Sequence, residues 1–97
     1  MSKQILVNDS DFQASIPMWR LEGIHISREF IFKDFKEAFA FMTLCAQYAE
    51  EIDHHPDWSN SWNKVVVHLS THSAKALTEL DIQMAKAMDA FALQVQT

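Results

Sequence analysis

One run in the middle of the chain constrains the fold more than any other. In "DFKEAFAFMTLCAQYAEEID", residues 34–53, Phe35, Ala38, Phe39, Met42, Cys45, Ala46 and Ala49 recur at the spacing of one helix face. Asp34, with Glu37 three residues on, supplies a capping box that starts the helix. At the other end Pro56 disfavours αR geometry at His55, so the helix stops near Asp53. A long amphipathic helix therefore occupies the centre, and any sheet must be assembled from the segments on either side of it.

Those segments carry strand signals. Gly23 is the only glycine and suits a turn between "MWRLE" and "IHISREFIF". In the second run Ile24, Ile26, Arg28, Phe30 and Phe32 alternate with His25, Ser27, Glu29 and Ile31, which predicts a hairpin around Glu22-Gly23. Beyond the helix, "NKVVVHLST" places Val65, Val67 and Leu69 on one strand face and Val66, His68 and Ser70 on the other. "THSAKA" is a connector. Thr78 and Asp81 form a second capping box, with Leu77 and Ile82 as its hydrophobic staple, and open a last helix that runs to about Leu93. That helix has two apolar stripes: Ile82, Ala85, Met88 and Ala92, and Leu80, Met84, Ala87 and Phe91. A core-facing helix needs only one stripe, so the second predicts contact with a neighbouring subunit. The order hairpin, helix, strand, helix gives an α+β fold: a small antiparallel sheet of three to four strands with two main helices packed on one face. Residues 1–97 read as a single domain. Within it residues 1–17 are a poorly defined, polar N-terminal segment with room for a short turn of helix.

Composition excludes several functions. A net charge of −5 without a basic run argues against direct nucleic-acid binding. The single cysteine, Cys45, permits no intrachain disulfide, and no apolar run is long enough to span a membrane. "MSKQILVNDSDFQ" lacks a signal-peptide hydrophobic stretch, so a cytoplasmic setting is expected.

The chemistry concentrates in "EEIDHHPDWSNSWNK", residues 50–64. A metal site on the histidines finds no support in spacing. Adjacent rings in extended chain diverge, "HLSTH" falls in a strand pattern where i and i+4 share no helix face, and no HExxH occurs. Acid–base chemistry asks less, because imidazole titrates near neutrality and needs only a substrate in reach and an orienting partner. Asp53, Glu50, Glu51 and Asp81 are candidate partners, and Trp58 and Trp62 could wall a pocket for a flat ligand. Ordinary roles stand beside these. A histidine after a helix C-terminus often caps it, tryptophans are more often core, Asp81 suits a helix N-terminus, and His25 and His68 sit on strand faces as structural or solvated groups.

Residue identity goes further than spacing. Glu50, then His54-His55-Pro56, Trp58, Trp62-Asn63-Lys64-Val65, Leu69-Ser70-Thr71-His72 and Thr78 to Asp81 occur in the order found in pterin-4a-carbinolamine dehydratases, which this chain resembles from about Trp19 onward. The resemblance implies dehydration of 4a-hydroxytetrahydropterin to quinonoid dihydropterin, in tetrahydrobiopterin recycling, without metal or cofactor. It implies His54, His55 and His72 as catalytic residues and Glu50, Asp53, Trp58 and Asp81 as groups that bind substrate or support the pocket. It also implies a homo-oligomer, a tetramer in the family pattern. The alternative it carries is a binding module that stabilises a partner protein through a helical surface, as some animal members do for a transcription factor; a nuclear location would go with that role. Three positions depart from the pattern: Ala76 for a frequent glycine, Leu80 where some members are basic, and Trp62 for a frequent tyrosine.

Overall fold

The computed structural model describes residues 14–96. Of the N-terminal segment, residues 1–17, in which a short turn of helix is expected, residues 1–13 lie outside the described part; residues 14–17 form turns rather than helix, with Ile16 buried in the core. The elements are β1 (Arg20–Glu22), β2 (His25–Ile31), α1 (Phe35–Ile52), β3 (Asp57–Ser61), β4 (Lys64–Leu69) and α2 (Glu79–Gln96). The four strands pair antiparallel in the order β1-β2-β4-β3, and the fold is α+β. The tight β1–β2 turn uses Gly23 at φ +64°, where a side chain would be strained.

Strand alternation divides the sheet into a helix-covered face and an open one. Ile26 and Phe30 of β2 join Val65, Val67 and Leu69 of β4 in the core, where Phe41 of α1 meets Phe30 and Phe32 with centroids 4.7 and 5.0 Å away. Each such fully buried side chain contributes about 1.5–3 kcal/mol. Ahead of β1, Trp19 packs edge-on against Phe30 and donates its indole N–H to Asp89 of α2 at 2.8 Å. Arg28 reaches the same carboxylate oxygen at 2.6 Å, so the hairpin and the last helix are tied at one point.

α1 begins as its capping box requires: the Asp34 carboxylate accepts the Glu37 N–H at 2.9 Å. The reciprocal bond goes to the Lys33 N–H rather than to that of Asp34. The buried face differs from the expected one. Ala38, Phe41, Cys45 and Ala49 are inside, whereas Phe35 and Phe39 are 48% and 55% exposed and lean on each other, with centroids 5.7 Å apart. Two aromatic stripes run along this helix, and only packing against Phe30 and Phe32 selects the one through Phe41. Burial pushes the Cys45 thiol up to about 12, which removes it as a nucleophile.

α2 corrects a second expectation. Both of its stripes reach the core of the same chain: Ile82, Ala85, Met88 and Ala92 are buried, and so are Leu80 and Met84. Phe91 is half-buried, edge-on to Tyr48 of α1. The second stripe is thus occupied by the chain's own residues and does not call for a neighbouring subunit. The helix also extends to Gln96, past the expected end.

β3 is an edge strand in a segment that had no strand signal. Its Asp, Ser and Asn residues have low β-propensity. Pairing with β4 sets Trp58 opposite Val67 and Asn60 opposite Val65, with Asp57, Ser59 and Ser61 turned outward. The turn that follows places Trp62 at φ +51° and is held by the Asn60 side-chain amide, which donates to the carbonyls of Trp62 and Lys64.

Candidate active site

The end of α1 shapes the site first. Asp53 adopts φ 52° and ψ 48°, the left-handed conformation usual for glycine. The His54 N–H then returns to the Ala49 carbonyl at 3.0 Å, and the Asp53 N–H to that of Glu50 at 3.4 Å. This is the Schellman arrangement, and it swings His54 beneath the start of α2. Asp53→Gly is expected to relieve the left-handed strain and raise stability by about 0.5 kcal/mol, or ~2–4 °C in melting temperature. Differential scanning calorimetry would check this; a lowered melting temperature would show that the Asp53 side chain carries a structural bond of greater value.

His54 is 9% exposed and Asp81 is fully buried. His54 Nε2 lies 2.6 Å from Asp81 Oδ1. The other carboxylate oxygen of Asp81 accepts from the Thr71 hydroxyl and from the Thr78 N–H, both at 2.9 Å. The Thr71 and Thr78 hydroxyls are 2.6 Å apart, and the Thr78 hydroxyl also accepts the Leu80 N–H at 3.3 Å. Asp81 therefore closes the second capping box and holds an imidazole at the same time. With a carboxylate as acceptor, Nε2 of His54 is the donor, and in the neutral ring the lone pair is on Nδ1.

His55 points elsewhere, as the extended geometry required. Its Nε2 is 2.6 Å from Glu50 Oε2, and both side chains are largely exposed. His72 lies on the connector between β4 and α2, which a short bridge between Thr71 and Ala76 closes into a compact turn. The left-handed residue of that turn is Lys75, so alanine at position 76 introduces no strain.

These pieces enclose a cleft of about 790 Å³, lined by Asp53, His54, His55 and Pro56 on one side and Thr71, His72, Ser73 and Leu80 on the other. Of the expected site residues, Asp53 and the three histidines meet there. Glu50 is absent from the lining and acts on His55 alone. Trp58 packs against the core, and Trp62, 63% exposed, stands in the β3–β4 turn; neither walls the cleft. Asp81 is behind His54 rather than in contact with the open space. Two further histidines, expected only as structural or solvated groups, also line it: His25 and His68, on the open face of the sheet. Their only sequence signal was a shared alternation phase, and that becomes informative only when the strand register is known.

The profile of the pterin 4 alpha carbinolamine dehydratase family matches residues 6–91. This chain belongs to that family. A Synechococcus sp. (strain WH7803) relative, provisionally named a pterin-4-alpha-carbinolamine dehydratase, is 47% identical over 76 residues, covering 78% of this chain and 82% of its own. A Brucella ovis relative with the same provisional name is 57% identical over 67 residues, 69% of each chain. Among solved structures, a Brucella melitensis protein described as a transcriptional coactivator/pterin dehydratase superposes with a TM-score of 0.85 at 44% identity, covering 90% of this chain and 98% of that one. A pterin dehydratase-like protein described as a RuBisCO assembly factor in the alpha-carboxysome shares the fold, with a TM-score of 0.65 at 23% identity over 76% of this chain and 86% of its own. Among the described residues no helix of this family member is long and apolar enough to cross a membrane.

Proposed function

We propose that this dehydratase-family chain removes water from 4a-hydroxytetrahydropterin to give the quinonoid dihydropterin. The observation that carries the reading is the His54–Asp81 contact at the wall of a cleft that also receives His55 and His72. The reaction needs a base for the proton on N5 and an acid for the hydroxyl leaving C4a. His54 suits the base. Asp81 fixes its tautomer, leaves Nδ1 as acceptor and stabilises the imidazolium that forms. His72, across the cleft on a separate connector, suits the acid that converts the leaving hydroxyl to water. His55, tethered to Glu50, orients the pterin. Mixing the protein with freshly generated carbinolamine and following quinonoid absorbance tests the proposal. Acceleration over spontaneous dehydration is expected; a rate equal to the uncatalysed one would rule it out.

A second reading, a protein-binding role, is favoured by one observation. Phe35 and Phe39 form an exposed aromatic pair on α1. Such a face suits self-association into the expected homo-oligomer, or engagement of a partner protein. Phe35→Ser/Phe39→Ser is expected to lower the mass measured by light scattering while leaving turnover intact. A wild-type chain that is already monomeric at micromolar concentration would contradict the self-association part.

A further inference from the structure

The open face of the sheet carries a cluster that the dehydration chemistry does not use. The β1–β2 register sets Glu22 opposite His25, and the β2–β4 register sets Ser27 opposite His68, which makes His68 the diagonal neighbour of His25. Three adjacent strands thus each deliver one ligand-type side chain to one spot. Glu22 Oε1 is 3.2 Å from His25 Nε2, and the His25 and His68 ring centroids are 5.2 Å apart with planes inclined at 68°. One donor atom from each of the three residues lies within 4.8 Å of the other two.

We propose that Glu22, His25 and His68 bind a divalent cation of the zinc class through two imidazole nitrogens and one carboxylate oxygen. Tetrahedral zinc with ligands at about 2.0–2.2 Å places its donor atoms about 3.4 Å apart. The Glu22–His25 pair already meets that spacing, and partly exposed side chains can supply the remaining closure by small rotations. The donor set selects the metal: imidazole with carboxylate suits zinc, whereas calcium and magnesium prefer oxygen alone. The two oxygens of Glu22 divide their work. Oε2 faces Arg20 at 3.9 Å, and Oε1 is turned to the histidines. Asp57, opposite His68 on β3, adds a second carboxylate to the same face. Three protein ligands leave one coordination position for water or ligand, and His25 and His68 both border the cleft, so that position is adjacent to it. A surface His–Glu pair alone is worth little. The strand register and the His25–His68 ring contact already bring the three side chains together, and a bound cation would bond to all three at once.

The site is independent of the dehydration reading, because His54, His55 and His72 supply none of its ligands. The test is calorimetric titration of zinc chloride into untagged, chelator-stripped protein. One zinc per chain is expected. His25→Ala and His68→Ala should each weaken binding by about tenfold or more, equivalent to ~1.4 kcal/mol or more. The isosteric Glu22→Gln should weaken it less, and His54→Ala/His72→Ala should leave it unchanged. Absence of zinc binding would overturn the proposal. So would binding that survives His25→Ala/His68→Ala and is lost in His54→Ala/His72→Ala.

Discussion

Replacing Asp81 with alanine is expected to cost the fold about 3–5 kcal/mol, from buried donors left unpaired at about 1–3 kcal/mol each and a lost helix cap at about 1 kcal/mol. The carboxylate is fully buried and accepts from His54, Thr71 and the Thr78 N–H. Its loss strands three donors and removes the cap of α2 together. Against a total stability of about 5–15 kcal/mol, a loss of this size leaves a marginal protein. Urea denaturation followed by circular dichroism measures it, and a loss below ~1 kcal/mol would show that water or local rearrangement satisfies the same groups. Asp81→Asn separates the structural from the chemical role. The amide keeps the volume but offers one acceptor where the carboxylate has two, so either Thr78 or His54 loses its partner. Nitrogen-15 chemical shifts of His54 should then report a mixed or switched tautomer, and turnover should fall even where the protein stays folded. Unchanged tautomer and turnover in a folded Asp81→Asn protein would reduce Asp81 to a helix cap.

The second large effect is on catalysis. His54→Ala and His72→Ala are each expected to lower kcat by ~10-fold or more, near the lower edge of general acid–base contributions because water or the other imidazole can substitute. The double variant should be slower than either, yet short of the product of the two losses if they act as a unit. His55→Ala should act mainly through KM, because its ring is exposed and tethered to an exposed Glu50 rather than to a buried group. His25→Ala and His68→Ala stand at the rim and should leave kcat near its wild-type value. A kcat loss for His55 equal to that for His54 would redistribute the roles among the three.

The features legible from the sequence are those with a local cause. Capping at Asp34 and Thr78, the helix end before Pro56 and the alternation of Val65, Val67 and Leu69 depend on residues within a few positions of one another, and they appear as expected save that the reciprocal bond of the first box goes to Lys33. What was not legible depends on distant partners. β3 is held in the sheet by β4 and by the half-burial of Trp58, while its own Asp, Ser and Asn residues argue against a strand. The choice between Phe39 and Phe41 as the inward aromatic is made by Phe30 and Phe32. Tryptophans near the H-H-P segment suggested pocket walls, yet strand alternation turns Trp58 into the core. In the site, the identity of the three histidines came from residue-by-residue likeness to the family, since spacing alone left capping and solvation open. Asp81 was legible as a helix N-terminal acid. Its second task, holding His54 from a position 27 residues away, required the fold.

In the proposed reaction the cleft of His54, His55 and His72 dehydrates a pterin carbinolamine by imidazole acid–base chemistry. The most direct measurement is the stopped-flow rate of quinonoid dihydropterin formation from freshly generated carbinolamine, compared between wild type and a His54→Ala/His72→Ala variant shown by circular dichroism to be folded. Wild type should run well above the spontaneous rate, and the double variant should lose more than the ~10-fold expected of either single replacement. Equal rates for the two folded proteins would contradict it.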